Sequence, residues 1–552
     1  MPLTVAVVAG GGFQGLGILE AIHAVPGARA IVLDSTTDAP GELFADRYLV
    51  APPLDAPEFR NFLLETVRNE GVTLVLPATQ RELKVLSALV AELKGLGAET
   101  AVCPGPLLDM LLDKQALYSA LRRAGFPRQQ PVEPGPEAPF PLFGRPRTGW
   151  GGREVVVIRD RVELSGAMER FPGLTQSHVW VPWLASFEEF SADFAVDFRG
   201  QVSRITLRRR VRTSGGYAVV SDSVDHPPAA AMAARLAGWL ADQGAVGLFN
   251  VQLLLTPDGM LLVSDVNPRH GTSGGHAHAE GNHLVAFLLG RGGASVRRPV
   301  RTVRALAQHV LPHFAAGDIR GVVFDLDDTL LDHKQWIVDR MRMAAASLAD
   351  VIDPARLVEH AYFAVEEGEH ARLIDVVTHR LGIESLHGDL LAAYRASVPG
   401  RAVLFPEVAD VLRALRSTGV RLGLLTDNPP ASQRAKLAAC EGLEEAFDAV
   451  VFSREHGAEK PAPEAFAAVA DRLGLPPASL LMVGDSAARD ALGAIRAGWL
   501  ACMLVDRPGG RGRPHMGLMS TVVPDMVARV WVGRDLRMLP SLLRMATHSS
   551  GT

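Results

Sequence analysis

The chain of 552 residues contains only three cysteines, Cys103, Cys440 and Cys502. They are odd in number, far apart and in neither a C-x-x-C nor a zinc spacing. That excludes a disulfide scaffold and points to free thiols in a reducing compartment. A large excess of one charge sign is also missing: 56 Lys and Arg against 61 Asp and Glu leave a formal net charge of −5, so nothing global argues for nucleic acid or an anionic membrane as partner. No uninterrupted apolar run reaches membrane-spanning length. The start, "MPLTVAVVAGGG", enters a strand without a basic flank or cleavage site, and the expectation is a cytoplasmic protein. Internal repeats are lacking, and the one biased tract is "DRPGGRGRPHMG", Asp506 to Gly517. Apolar residues, by contrast, are plentiful at 48%. With roughly 100 to 200 residues per domain, the length predicts about three or four domains.

Over the first hundred residues "TVAVVAG", "ARAIVLD", "VTLVLPA" and "AETAVCP" alternate with amphipathic helical patterns such as "EFRNFLLETVRNEG", a doubly wound α/β unit. The proline-rich connector "RQQPVEPGPEAPFP" ends that pattern. From Leu142 to Leu289 longer hairpins follow, with turns at Arg199-Gly200 and Pro257-Asp258-Gly259, which predicts an α+β domain with antiparallel strands. A connector of roughly 297–320 leads to a second α/β unit opening on "GVVFDLDD".

The first strand ends in "AGGGFQG", which fits G-x-G-x-x-G at Gly10, Gly12 and Gly15, with Asp34 ending the next strand about twenty residues on. Alone it reads as a dinucleotide site. The same tight turn serves any close strand-to-helix junction, and the segment resembles the pre-ATP-grasp domain of the carbamoyl phosphate synthetase and biotin carboxylase type in "IVLDS", "FADRYLVAPP" and "LVLPATQREL" with Glu82. That resemblance favours a packing turn over a nicotinamide site.

The likeness to the ATP-grasp superfamily runs from about Pro2 to Gly290. "DKQALYSALRRAGFP" resembles the helix opening the nucleotide-binding subdomain, and "FPLFGRPRTGWGGREVVVI" the strand with a phosphate-binding cation followed by a mobile glycine loop. Arg145 stands where most of the family has lysine. Its guanidinium fork suits phosphate oxygens, and Gly149, Gly151 and Gly152 let backbone N–H groups approach them. The strands "NVQLLL" and "LLVSDVNP" can aim Gln252, Asp265 and Asn267 at one point, as magnesium bridging nucleotide phosphates requires. Asp265 replaces the family's usual glutamate, and Arg269, which follows, is a catalytic candidate. Val181-Pro182 stands where the family carries a Gln-Glu pair for adenine and ribose. On "RITLRRRVRTSGG", Arg210 and Arg208 share one strand face and could turn toward phosphates or a substrate carboxylate. His270, His276, His278 and His283 are read as substrate contacts or plain loop, with a transition metal as the alternative.

From about Asp318 to Pro508 the chain resembles the haloacid dehalogenase superfamily, whose four motifs occur in order. Asp325 and Asp327 lie two apart after a buried-strand pattern; the resemblance makes Asp325 the nucleophile and Asp327 the general acid/base. Thr329 is the usual supporting residue. Thr426 would hold the phosphoryl group with Asn428 as helper, Lys460 would supply a cation, and Asp325, Asp327, Asp485 and Asp490 are the magnesium candidates. The helical insert between the first two motifs resembles a small cap.

The expected architecture is α/β multidomain: a pre-ATP-grasp α/β domain at 1–104, an α+β ATP-grasp domain at 105–312, and a Rossmann-like haloacid dehalogenase domain at 318–508. A helical cap covers about 333–401, and 509–552 is a C-terminal tail. The resemblances imply a bifunctional enzyme, an ATP-dependent ligase of carboxylate and amine through an acyl phosphate, joined to a phosphomonoesterase. ATP and Mg2+ (or Mn2+) are the expected cofactors. The expected partners are small-molecule carboxylate, amine and phosphate-ester substrates, without nucleic acid or membrane, and a homo-oligomer is left open. The alternative is a phosphatase carrying a noncatalytic ATP-grasp module.

Overall fold

The structure, a computed structural model, describes residues 3–37, 39–149, 154–214, 216–292, 296–305, 318–507, 523–524 and 528–548. The chain forms two compact units, Met1–Gln308 and His309–Thr552.

The first unit opens with a parallel sheet of β1 (Leu3–Val8), β2 (Ala28–Asp34), β3 (Arg47–Val50), β4 (Val72–Pro77) and β5 (Glu99–Thr100), in the order β3-β2-β1-β4-β5. Helices Phe13–His23, Glu58–Glu70 and Leu83–Gly95 connect these strands. The continuous apolar runs of β1, β2 and β4 are buried, as strands covered on both faces require. Next come a small antiparallel sheet of β6 (Leu142–Pro146), β7 (Val156–Ile158) and β8 (His178–Pro182), ordered β7-β6-β8, and a larger antiparallel one. The latter joins β9 (Glu188–Val196), β10 (Thr206–Ser214), β11 (Tyr217–Ser223), β12 (Gly247–Leu255), β13 (Leu261–Asn267) and β14 (Arg301–Val303) in the order β13-β12-β9-β10-β11-β14. The edge strand β14 falls inside the stretch read as a connector. It has three residues, two of them exposed, too few to show alternation.

The second unit is built on a parallel sheet of β15 (Gly321–Phe324), β16 (Arg421–Thr426), β17 (Ala449–Phe452), β18 (Leu480–Gly484), β19 (Ala501–Val505) and β20 (Val530–Gly533), ordered β17-β16-β15-β18-β19-β20. Helices His333–Ala346, Pro354–Glu366, Leu373–Leu381 and His387–Ala396 lie between β15 and β16 and have their own core, including Met341, Leu357, Ala361, Val377 and Leu390. The reading of 509–552 as a tail is corrected. β20 adds to the sheet beyond β19, with Cys502 opposite Val530, and the helix Met538–His548 follows with Leu539 and Leu542 buried. Four residues, "VWVG", behind a Gly- and Arg-rich stretch gave no readable period.

All three cysteines are free and buried. Among the described residues no helix is long and apolar enough to cross a membrane.

The glycine turn after β1 is filled by the protein itself. The Gly11 amide donates to Asp34 Oδ2 at 2.8 Å, and the Gly41 amide to Gly11 O at 2.7 Å. A Cβ on Gly15 would stand 2.0 Å from the Gly10 carbonyl oxygen, whereas one on Gly12 would meet nothing within 4 Å. Gly11 and Gly15 therefore serve close packing, and the carboxylate that a dinucleotide ribose would need is already engaged. Gly15→Ala should lower stability by about 2–3 kcal/mol and Gly12→Ala by far less, both read from urea midpoints.

His270 lies buried beside Gly17 and Gly274. Burial, with Arg269 and Arg208 nearby and Asp193 opposing, pushes its pKa down to about 4. The folded state holds it neutral while the unfolded chain protonates it near 6.5, so this contribution is complete above about pH 6.5 and is lost as pH falls to about 4. The loss is about 3 kcal/mol. Urea midpoints taken between pH 7 and 4.5 should fall more steeply for the wild type than for His270→Gln, which does not titrate.

Candidate active sites

In the parallel sheet of the second unit, β15 sits between β16 and β18, so the strand order reverses there and the carboxyl ends of these strands border one crevice. Asp325 follows β15, Thr426 ends β16, and Asp485 follows β18. Lys460 Nζ lies 2.6 Å from Asp325 Oδ1 and 2.7 Å from Asp490 Oδ1, and all three residues are buried. Carboxylate oxygens of Asp325, Asp485 and Asp490 fall within 4.8 Å of one another. Asp490 rides on a π-helical turn, Ala487–Ala491, and accepts the Ser486 amide at 2.9 Å. Gly484 makes room for it: a Cβ there would stand 2.2 Å from Asp490 Oδ2.

Three carboxyl groups crowd one ammonium in a largely buried site. Burial raises the Asp325 carboxyl well above the usual carboxylate range, and Asp490 and Asp485 add to this while Lys460 opposes it. Burial alone would lower Lys460, but Asp325, Asp490 and Asp427 outweigh it and hold the ammonium charged. A hard divalent cation is the natural complement to such an all-oxygen set, so the residues present fit magnesium or manganese.

Asp327, expected among the magnesium residues, has its side chain outside this cluster. The carboxylate faces Lys436, whose Nζ is 2.6 and 2.8 Å from its two oxygens. Asn428 Nδ2 donates at 2.6 Å and Gln433 Nε2 at 3.0 Å. Burial would raise this carboxyl, but His333 and Lys436 with these hydrogen bonds hold it well below the usual range. Between the two aspartates and Thr329, Asp328 adopts a left-handed φ of 58°, which aspartate tolerates better than most residues. Arg507 braces the same turn, donating to the Thr329 carbonyl at 2.7 Å and to Glu407 at 2.6 Å, over the Phe405 ring. Sequence reasoning missed Lys436, Gln433 and His333. One signal was available: helical spacing puts Gln433 and Lys436 on the face of the apolar Leu437.

In the first unit Gln252 and Asp265 are direct cross-strand partners on β12 and β13. Asn267 pairs with Asn250 and donates Nδ2 to its carbonyl at 3.2 Å. Arg145, on β6, donates to Asp265 Oδ2, to Ser264 O and to the Tyr118 hydroxyl, each at 3.2 Å. Lys114, which sequence reasoning passed over, is buried and donates to the Gly149 carbonyl at 3.1 Å. Burial lowers its pKa, with Asp265 opposing. Gly149 has φ 153°; Gly151 and Gly152 lie outside the described residues. Arg269 is buried and donates to the His270 carbonyl at 2.9 Å, in the field of Asp265 and Glu82.

Two of the four β10 arginines, Arg208 and Arg210, differ from expectation. Arg208 is a core residue, bonded to Asp193 Oδ2 at 2.7 Å and Ser221 Oγ at 3.1 Å, and Arg210 pairs with Glu189 and the Gly216 carbonyl. Each arginine is matched by a β9 carboxylate rather than left open for a ligand. His276 is held by Ser223 and Thr302, and His278 meets His283 at 2.8 Å. Among the described residues the aspartate trio is the only group of three or more acidic, His or Cys side chains placed to hold a metal.

Residues 319–498 match the family model of haloacid dehalogenase-like hydrolases, and residues 7–101 that of the PylC-like N-terminal domain. A glyceraldehyde 3-phosphate phosphatase of Methanopyrus kandleri is 32% identical over 190 residues, which cover 33% of this chain and 81% of that protein. An N-acylneuraminate-9-phosphatase of Rattus norvegicus is 30% identical, covering 35% and 84%. A phosphoglycolate phosphatase of Salmonella typhimurium is 33% identical, covering 31% and 75%. Among solved structures, an ADP complex of N5-carboxyaminoimidazole ribonucleotide synthetase aligns at 18% identity and TM-score 0.45, over 55% of this chain and 81% of that one. The biotin carboxylase domain of Hydrogenobacter thermophilus 2-oxoglutarate carboxylase aligns at 13% and 0.45, over 54% and 72%. With four strand-end clusters assembled at one sheet edge and relatives of this identity covered over most of their length, the chain belongs, through its second unit, to the haloacid dehalogenase-like hydrolases.

Proposed function

We propose that the second unit is a phosphomonoesterase acting on a small metabolite and that the first is an ATP-dependent ligase of carboxylate and amine. The observation that carries the first half is Lys460 set between Asp325 and Asp490 with Asp485 alongside. Asp325 attacks phosphorus as the carboxylate, the form that Lys460 favours. An Asp325–phosphorus bond forms as the ester P–O bond breaks, and the departing alkoxide takes a proton from Asp327. Water then attacks the aspartyl-phosphate, giving its proton to Asp327, and inorganic phosphate leaves with Asp325 restored. Thr426 would hold the phosphoryl oxygens with Lys460. Asp325, Asp485 and Asp490 would hold a magnesium or manganese ion, which when bound supplies positive charge for the phosphoryl oxygens. Because resting Asp327 is ionised, it acts as base directly and as acid only after taking up a proton.

In the ligase half, Gln252, Asp265 and Asn267 would hold magnesium, and Arg145 and the 149–152 loop would bind ATP phosphates. Arg269 would face the carboxylate being activated. A second reading, a noncatalytic module, is favoured by two features: Arg145 and Asp265 neutralise each other, and Val181-Pro182 stands in place of the usual adenine-binding pair. The proposed domain limits are those given above, with the last segment joined to the phosphatase.

The full chain with magnesium should release phosphate from at least one of glyceraldehyde 3-phosphate, N-acylneuraminate 9-phosphate and 2-phosphoglycolate, the substrates in the relatives' names. Asp325→Asn should lower the rate by about 1,000-fold or more. Activity undiminished in Asp325→Asn would refute the nucleophile assignment. The same variant given Mg-ATP should form ADP only with a particular carboxylate and amine. No ADP with any pool, and no ATP binding by calorimetry, would support the noncatalytic reading.

A further inference from the structure

The acid/base Asp327 is gripped by side chains of the helix Pro430–Ala438, which follows β16 directly. Lys436 has side-chain exposure of 1% and reaches both carboxylate oxygens, at 2.6 and 2.8 Å. Its Nζ also lies 3.1 Å from His333 Nδ1. One turn earlier, fully buried Gln433 donates Nε2 to Asp327 Oδ2 at 3.0 Å and also to the Thr426 hydroxyl, so one amide ties the acid/base to the phosphoryl-holding threonine. Its Oε1 is buried without a partner.

A buried ammonium is costly, and a hydrophobic residue of similar volume would often serve stability as well or better. The site nevertheless keeps two such lysines and divides the aspartates between them: Lys460 takes Asp325 and Asp490, Lys436 takes Asp327. With both oxygens held, the Asp327 carboxylate cannot rotate freely about its terminal bond. A general acid must present one oxygen to the leaving group within hydrogen-bond reach.

We infer that Lys436, assisted by Gln433, is a positioning residue for the phosphatase reaction: it fixes the Asp327 carboxylate in the orientation from which the leaving oxygen is protonated. This rests on the assignment of Asp327 as general acid/base. A loss confined to protonation must depend on the leaving group. An alkoxide needs the proton, whereas p-nitrophenolate departs without it. kcat/KM reports steps only up to phosphoryl transfer, so hydrolysis of the aspartyl-phosphate does not blur the comparison.

The experiment measures kcat/KM for wild type, Lys436→Met, Asp327→Asn and the double variant. The substrates are p-nitrophenyl phosphate and whichever of the three alkyl phosphates above is cleaved fastest. Lys436→Met is expected to lose about 100-fold on the alkyl ester and less than about 5-fold on the aryl ester, where no proton is needed. In the Asp327→Asn background it should add nothing to that discrimination. Equal losses on both esters, no loss on either, or losses that multiply in the double variant would overturn the positioning role. Asp327→Asn is the separate control: if it fails to discriminate the two esters, the acid/base assignment itself falls. Should Lys436→Met melt well below the wild type, Lys436→Arg, which keeps the charge, is measured instead. It should recover most of the alkyl-ester activity, and an Arg variant that stays folded but loses both activities alike would refute the proposal.

Discussion

The chemistry of the second unit depends on one buried ammonium, that of Lys460. Without it, Asp325, Asp490 and Asp485 would bring three carboxylates together in a dry site, and at least one would have to protonate. Lys460 opposes that protonation without cancelling it at Asp325, and a hard divalent cation is the natural further complement to the three carboxyl groups. The surrounding backbone serves this arrangement. Gly484 leaves the space that Asp490 fills, the π-helical turn brings Asp490 back toward the strand end, and Arg507 clamps the turn carrying Asp327 to Thr329. Lys436, with His333 and Asn428, outweighs burial at Asp327, whereas at Asp325 burial with Asp490 and Asp485 outweighs Lys460, so two aspartates two residues apart are pushed in opposite directions.

In the first unit the cations are matched within the protein instead. Arg145 meets Asp265, Arg210 meets Glu189, and Arg208 is sealed against Asp193. Each pair keeps both of its partners satisfied, which counts most where they are buried.

Much of this was legible before any coordinates. Runs such as "GVVF" and "LLMVG" have no polar alternation, so they had to be covered on both faces, and the polar residues following them had to gather at one sheet edge. Gln252 opposite Asp265 likewise followed from a hairpin register. What stayed hidden was of two kinds. β14 and β20 have three and four residues, too short for a period to emerge. The roles of Lys436, Arg208 and Asp327 depend on which neighbour each side chain meets across the fold. Spacing places Arg208 on a strand face without saying that Asp193 waits there, and it puts Asp327 beside Asp325 without saying that its carboxylate turns the other way.

The central claim is that Asp325 bonds covalently to phosphorus, and it is tested most directly by trapping. The wild-type protein would be quenched in acid during turnover of an alkyl phosphate, treated with borohydride, which reduces an aspartyl-phosphate to homoserine, and digested for mass spectrometry. Homoserine at position 325 and at no other aspartate, dependent on substrate, is the expected result. Turnover without modification at 325, or with the label on Asp327, Asp485 or Asp490, would contradict the account.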